Sequence, residues 1–165
     1  MNPSRLFYVI GFIITALLLG TTFYLQNVEG FTPCPLCILQ RVTLCLLSTV
    51  FFVGSVLDPQ KKGNLFLGLL SALLSLIGIF FSGRQVWLQH FSSDKNADCT
   101  ASLQYLLHVL PFNQVISKIF QGSGECTKRS WEFLNLSLAE WSLICFIVFF
   151  IACLFQARRK KFSTK

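Results

Sequence analysis

Four of the seven cysteines occur in two pairs whose spacing and surroundings suit thiol chemistry. Cys34 and Cys37 form a C-x-x-C motif, a spacing that serves redox pairs and zinc sites alike. Cys99 and Cys126 lie 27 positions apart in the most polar stretch of the chain. Both pairs are therefore candidates for disulfide exchange or metal binding. The secondary structure and the compartment in which they lie distinguish these two functions.

The second chemical feature is Arg41, which follows Cys37 by four residues. Pro33 and Pro35 predict that a helix starts here, because proline is tolerated in the first helical turn. Cys37 then lies where unsatisfied N–H groups and the helix dipole favour a thiolate, with Arg41 on the same face. Placing a charged side chain within a membrane span costs free energy, so such a residue is a candidate for a functional role. The structural alternative is an arginine that merely reaches back to the membrane surface.

The composition and the apolar runs predict an all-α membrane protein. Hydrophobic residues make up 53% of the 165 residues and charged ones only 13%, with a mean hydropathy of +0.62. A run of about 20 apolar residues is long enough to cross a bilayer as a helix. Such runs occupy residues 6–25, 38–57, 65–83 and 141–157. We expect a four-transmembrane-helix bundle in a single domain, 1–165. The first run is too long for a signal peptide.

The distribution of Lys and Arg predicts the orientation of these spans. Eight of the fourteen basic residues lie at the termini or in the 58–64 connection: Arg5, Lys61, Lys62, Arg158, Arg159, Lys160, Lys161 and Lys165. The positive-inside rule makes these segments cytoplasmic, so the 26–37 and 84–140 loops face outward. Both cysteine pairs then lie in an oxidising compartment, where an even set of cysteines indicates disulfides. The basic tail follows an apolar run, which favours membrane orientation over nucleic-acid binding.

The remaining cysteines and the long outer loop have simpler expected roles. Cys45, Cys145 and Cys153 fall inside the spans and are expected to pack as small apolar residues. Apolar residues at three- and four-residue spacing over 102–120 predict a short amphipathic helix in the loop. It lies either on the membrane surface or on the ends of the bundle. The glycines before Cys126 suit a cysteine that changes partner, although a static disulfide is the alternative.

Together these residues resemble the DsbB family, the bacterial membrane enzymes that reoxidise the periplasmic thiol oxidase DsbA and pass the electrons to a quinone. The resemblance extends from the first span to the fourth. The matching segments are Cys34–Arg41, Gly83–Gln89, Cys99, Gly122–Cys126 and Ser130–Leu134. Three positions depart from the pattern: Gln85, Asn135 and Ala139 stand where His, Gly and Pro are found in relatives.

The resemblance implies both the catalytic residues and the electron path. A DsbA-like thiol oxidase attacks Cys99 and frees Cys126, and exchange with Cys34–Cys37 carries the electrons inward. Cys37 and Arg41 then contact a membrane quinone, either ubiquinone or menaquinone. The implied enzyme is a protein-dithiol:quinone oxidoreductase without a metal, in the bacterial inner membrane. Its termini are cytoplasmic and its active loops are periplasmic.

Three other interpretations are less consistent with the sequence. A vitamin K epoxide reductase-like protein also couples cysteine pairs to a quinone, but its C-x-x-C motif is expected at the outer end of the last span. A non-enzymatic four-span protein with static disulfides predicts that Arg41 is freely replaceable. A metal site using all four thiolates is disfavoured by the lack of a second C-x-x-C and by the oxidising compartment.

Overall fold

Four long helices make up most of the structure, a computed structural model that describes residues 3–28, 34–57, 61–91, 132–133 and 136–162. The helices are α1 (Pro3–Val28), α2 (Pro35–Leu57), α3 (Lys61–Phe91) and α4 (Leu138–Phe162). Two short strands, β1 (Glu132–Phe133) and β2 (Leu136–Ser137), pair antiparallel immediately before α4. Each of the four helices is long and apolar enough to cross a membrane. The predicted four-helix membrane fold is confirmed.

The third helix extends further than its apolar run indicated. The run ends at Gly83, whereas α3 continues to Phe91 through residues that we placed in the outer loop. Residues 84–91 contain neither proline nor glycine, so nothing in them ends the helix. The added turns bring Gln85 and Leu88 onto the buried face of α3. The amphipathic helix predicted at 102–120 lies outside the described residues.

Each helix packs against its neighbour in the sequence: α1 on α2, α2 on α3, and α3 on α4. Because the connections are short, successive helices among the first three run antiparallel, and Arg5 at the start of α1 donates to the Ser55 carbonyl near the end of α2 at 3.0 Å. The largest core cluster includes Tyr8, Leu47 and Phe51 from the first two helices. The bundle therefore has one packed interior, and the C-x-x-C motif lies at the end opposite Arg5.

Several small polar side chains are buried inside this bundle, and many large apolar ones face outward. Ser71, Ser75 and Ser82 are fully buried along α3, whereas Leu17 and Phe66 are 66% and 67% exposed. The three serine hydroxyls donate to carbonyls four residues earlier at 2.6–2.8 Å, so none is left without a hydrogen bond. Small residues inside and apolar residues outside are typical of helices packed in lipid. The chain is a multi-pass membrane protein.

Glycines bring the helices into close contact at three places. A Cβ atom added at these glycines would come within 2.4–2.9 Å of an aromatic ring on the neighbouring helix, so no larger residue fits without a shift. The contacts are Gly11 with Phe51, Gly54 with Tyr8, and Gly78 with Phe146. Two of them are reciprocal between α1 and α2, because each helix supplies one glycine and one ring. We call these three the glycine–ring contacts.

Candidate active site

The C-x-x-C motif forms the start of α2, and Cys34 caps this helix. The Ile38 N–H donates to the Cys34 carbonyl at 3.1 Å, which closes the first turn. The Cys37 N–H donates to the Cys34 sulfur at 3.3 Å, as it would to the side-chain oxygen of an N-cap residue. We expected the helix start to favour a thiolate at Cys37. In the structure, the sulfur that accepts from the helix N-terminus belongs to Cys34.

The two sulfurs of the motif are close enough to exchange between dithiol and disulfide. Their Sγ atoms lie 2.9 Å apart, and a disulfide bond of about 2.05 Å needs only a small side-chain movement from this position. Cys34 is 2% exposed and packs with Leu36 and Leu88, whereas Cys37 is half-buried. Cys37 is therefore the member of the pair that a reaction partner can reach.

Gln85 on α3 places its side-chain amide against both sulfurs. Its Nε2 lies 3.2 Å from the Cys37 sulfur and 3.6 Å from the Cys34 sulfur. Gln40 donates to the Gln85 Oε1 at 2.7 Å, and the Ser142 hydroxyl on α4 lies 3.0 Å from the Gln40 Oε1. Side chains from α2, α3 and α4 thus form one series of hydrogen bonds that ends at the cysteine pair.

Arg41 lies one turn after Cys37 and is held by α1. One guanidinium nitrogen donates to the Gln26 side-chain oxygen, and the other donates to the Thr22 carbonyl at 3.1 Å. The guanidinium carbon also lies 5.5 Å from the centroid of the Phe23 ring, within the range of a cation–π contact. Its cation is half-buried, and α1 fixes its position beside the cysteine pair.

A cavity of about 70 Å³ opens between these residues and the start of α4. Its polar lining comes from Cys37, Gln40, Arg41, Gln85 and Ser142, together with Thr22. A second cavity of about 120 Å³ adjoins it and is almost wholly apolar. The two share the lining residues Thr22, Leu44, Leu138, Ser142 and Phe146. An apolar cleft with a few polar groups at one end is typical of small-molecule sites.

The strand pair and the first turn of α4 close one side of the site. Ser137 and Glu140 form a capping box: the Ser137 N–H donates to the Glu140 carboxylate at 2.6 Å, and the Glu140 N–H donates to the Ser137 hydroxyl at 3.4 Å. The Ser137 hydroxyl also donates to Gln89 on α3 at 2.8 Å. His90 lies 3.6 Å from the Glu140 carboxylate. These contacts fix the helix start that carries Ser142 into the cavity.

The structure brings together three of the five predicted site residues. Cys37 and Arg41 line the polar cavity, and the Cys34 sulfur lies 2.9 Å from that of Cys37. Cys99 and Cys126 lie outside the described residues, and so does their predicted pairing. Within the described ranges, no three His, Cys, Asp or Glu residues are grouped so that they could hold a metal ion.

The three cysteines within the spans occupy different environments. Cys153 is fully buried in the core cluster, and Cys145 is half-buried beside the apolar cavity. Cys45 is exposed on the outside of α2. Only Cys153 has the fully packed environment that we expected for all three.

Sequence reasoning missed Gln40, Gln85 and Ser142 as site residues. A signal was available on α3, because Ser82, Gln85 and Leu88 recur at three-residue spacing and are all buried. That pattern continues the inner face of the helix past Gly83. Nothing in the sequence indicated that Ser142 would reach a side chain on α2.

Comparison with known proteins identifies the family of this chain. The family model "Disulfide bond formation protein DsbB" matches residues 4–156. The chain is similar to disulfide bond formation protein B of Stutzerimonas stutzeri, with 37% identity over 96% of this chain and 97% of the relative. It is also similar to the proteins of that name from Nitrosococcus oceani, at 37% identity over 94% and 92%, and Acinetobacter baumannii, at 38% over 92% and 90%. The chain belongs to the DsbB family of disulfide bond formation proteins.

Proposed function

We propose that this protein reoxidises a DsbA-like periplasmic thiol oxidase and passes the electrons to a membrane quinone. One observation carries the proposal: the more exposed sulfur of a close cysteine pair opens into a polar cavity that continues into an apolar one. A static disulfide needs no such cavity beside it. The disulfide bond formation family of the chain supports the thiol half of the reaction.

The proposed exchange uses both cysteine pairs and balances at each step. A thiolate of the reduced partner attacks Cys99, forms a mixed disulfide and releases Cys126 as the leaving thiolate. The second thiol of the partner then attacks this mixed disulfide, so the partner leaves oxidised and Cys99–Cys126 is left as a dithiol. Exchange with the Cys34–Cys37 disulfide passes the two electrons and two protons to the inner pair.

The polarity of the two adjoining cavities suits a quinone with an isoprenoid chain. The polar cavity suits the headgroup, because Cys37, Arg41 and Gln85 meet there, and the apolar cavity suits the chain. A quinone accepts two electrons and two protons and leaves as a quinol. Ubiquinone and menaquinone share these features, so both belong to the proposal.

The residues around Cys37 have separate roles in this reaction. Cys37 supplies the reacting sulfur, and Cys34 closes the disulfide behind it. Two of the five N–H donors of Arg41 are used by α1, which leaves donors for a carbonyl oxygen in the cavity. The planar guanidinium suits that oxygen better than a lysine ammonium does.

The direct test is quinone reduction by the purified protein. A reduced DsbA-like thiol oxidase serves as the electron donor, and a short-chain ubiquinone or menaquinone is followed by its absorbance. We expect catalytic turnover in the wild type, none in Cys37→Ser, and normal turnover in Cys45→Ser, whose thiol lies outside the site. Intact disulfides without turnover in the wild type would instead favour static disulfides.

We also propose that the chain lies in the bacterial inner membrane with cytoplasmic termini. The basic residues near the start of α1, the start of α3 and the end of α4 support this orientation. A reporter that is active only in the periplasm is therefore expected to work when fused after residue 95 and to fail after residue 160. The reverse result would move the C-x-x-C motif to the reducing side and contradict the proposed chemistry.

A further inference from the structure

Three uncharged polar side chains connect α4 to the cysteine pair through the interior of the bundle. Ser142, Gln40 and Gln85 follow one another by hydrogen bonds of 3.0 and 2.7 Å, and Gln85 then contacts both sulfurs. Gln40 and Gln85 are only 8% and 5% exposed. Burying two amides is unfavourable unless their hydrogen bonds are satisfied. We call these three side chains the amide relay.

The hydrogen bonds of the amide relay all run in one direction. The Ser142 hydroxyl donates to the Gln40 Oε1, the Gln40 Nε2 donates to the Gln85 Oε1, and the Gln85 Nε2 points at the sulfurs. Donors aligned in this way polarise one another in a low-dielectric interior. The Gln85 amide, which ends this series of hydrogen bonds, is therefore a stronger N–H donor to Cys37.

A reversed direction is also self-consistent, and the charge on sulfur selects between the two. The single Ser142 proton can instead bond to the Ala139 carbonyl, 2.8 Å away. Both amides would then turn over, and Gln85 would present its oxygen to the sulfurs, an arrangement that suits two protonated thiols. A thiolate needs the donor, so it favours the direction found in the structure.

We propose that Gln85 is a catalytic residue that stabilises the thiolate of the Cys34–Cys37 pair, and that Gln40 and Ser142 are positioning residues for its amide. The inference rests on the proposed redox function of this pair. Oxidation of the dithiol releases two electrons and two protons, and the thiolate is the form that has already released one proton. A preorganised donor at this atom favours that form without reorganisation.

The test measures the protonation of Cys37 and needs neither quinone nor partner protein. The reduced wild-type protein is alkylated with iodoacetamide across a pH series, and modification of Cys37 is followed by peptide mass spectrometry. The side chains that line the polar cavity include one thiol, Cys37, and one charged group, Arg41, and the second thiol, Cys34, lies 2.9 Å from Cys37. The pH profile of alkylation therefore reports on the ionisation of the two thiols.

Gln85→Met keeps the length of the side chain but removes the donor. We expect Cys37 alkylation near neutral pH to slow about tenfold, the size of one hydrogen bond to a charged group. At high pH the variant should reach the wild-type rate, because every thiol is then ionised. Gln85→His restores a ring N–H and should recover much of the loss.

Gln40→Met and Ser142→Ala leave Gln85 in place but interrupt the relay. We expect each to slow alkylation by about two- to fivefold near neutral pH, because an aligned neighbour strengthens a bond only in part. Two matched controls should match the wild type. Ser82→Ala removes a buried hydroxyl whose described hydrogen bonds stay within its own helix, and Cys45→Ser removes a thiol on the outside of α2.

Three results would overturn the inference. These are a wild-type pH profile for Gln85→Met, a rate lowered equally at every pH, which would indicate altered access, or an equal effect of Ser82→Ala. The outcome is separable from that of the proposed function. If the wild type fails to reduce quinone but Gln85→Met still shifts the alkylation profile, then Gln85 stabilises the thiolate and the proposed quinone reduction is wrong.

Discussion

Cys126→Ser is expected to abolish oxidation of the thiol oxidase, because Cys99 then has no disulfide for the reduced partner to attack. Its free thiol should still form a mixed disulfide with the oxidised partner: Cys99 attacks the partner's disulfide, and the partner's second cysteine leaves as a thiolate. Alkylation of that thiolate holds the complex. The measurements are a non-reducing gel of the reduced variant incubated with oxidised partner and then alkylated, and the rate at which the variant oxidises reduced partner. Reductant should release the partner from the trapped species.

Two further variants separate this trap from a loss of folding. Cys99→Ser should be equally inactive but should give no trapped complex, because the sulfur that bonds to the partner is missing. Cys45→Ser, which changes an exposed cysteine on the outside of α2, should oxidise the partner like the wild type. A trapped complex in Cys99→Ser would show that the partner bonds to a different cysteine.

Arg41→Met is expected to lower kcat/KM for quinone by about 10- to 100-fold, the cost of losing hydrogen bonds from a charged donor. The inner disulfide should still form, because Cys34 and Cys37 do not depend on the guanidinium for their contact. Membrane insertion should not be impaired, because removing a charge from a membrane span carries no free-energy cost. The measurement is steady-state quinone reduction against quinone concentration, with membrane insertion checked in parallel.

Arg41 also joins α2 to α1, and a second variant isolates that structural role. Gln26→Leu removes one of the bonds to α1 but keeps the cation at the cavity. We expect it to cost far less quinone activity than Arg41→Met, and we expect Arg41→Lys to lie between the two. If Gln26→Leu and Arg41→Met were equally impaired, the contribution of Arg41 would be packing and not quinone binding.

The architecture could be predicted because it depends on quantities that a sequence carries directly. Apolar runs of bilayer length predicted four helices, and the structure has them. Cys37 and Arg41 were expected on one face at a helix start, and they line the same cavity. These contacts follow from the period of a single helix and need no knowledge of its neighbours.

The parts that escaped prediction depend on how neighbouring helices are rotated against one another. The contact of Gln85 with the sulfurs requires α3 to continue beyond its apolar run and to turn the right face toward α2. The contact between Ser142 and Gln40 spans 102 positions in the chain, and no local pattern encodes it. The capping role of Cys34 depends on one rotamer at the helix start.

The glycine–ring contacts also constrain how the length of this protein can change in evolution. They fix α1 against α2 near Gly11 and Gly54, whereas the partners of Arg41 on α1 lie about three turns further along, at Thr22 and Gln26. A single-residue insertion between Gly11 and Thr22 would leave the contacts in place but rotate those partners by about 100° around the helix axis. The number of residues in that stretch is therefore constrained separately from the identity of its side chains.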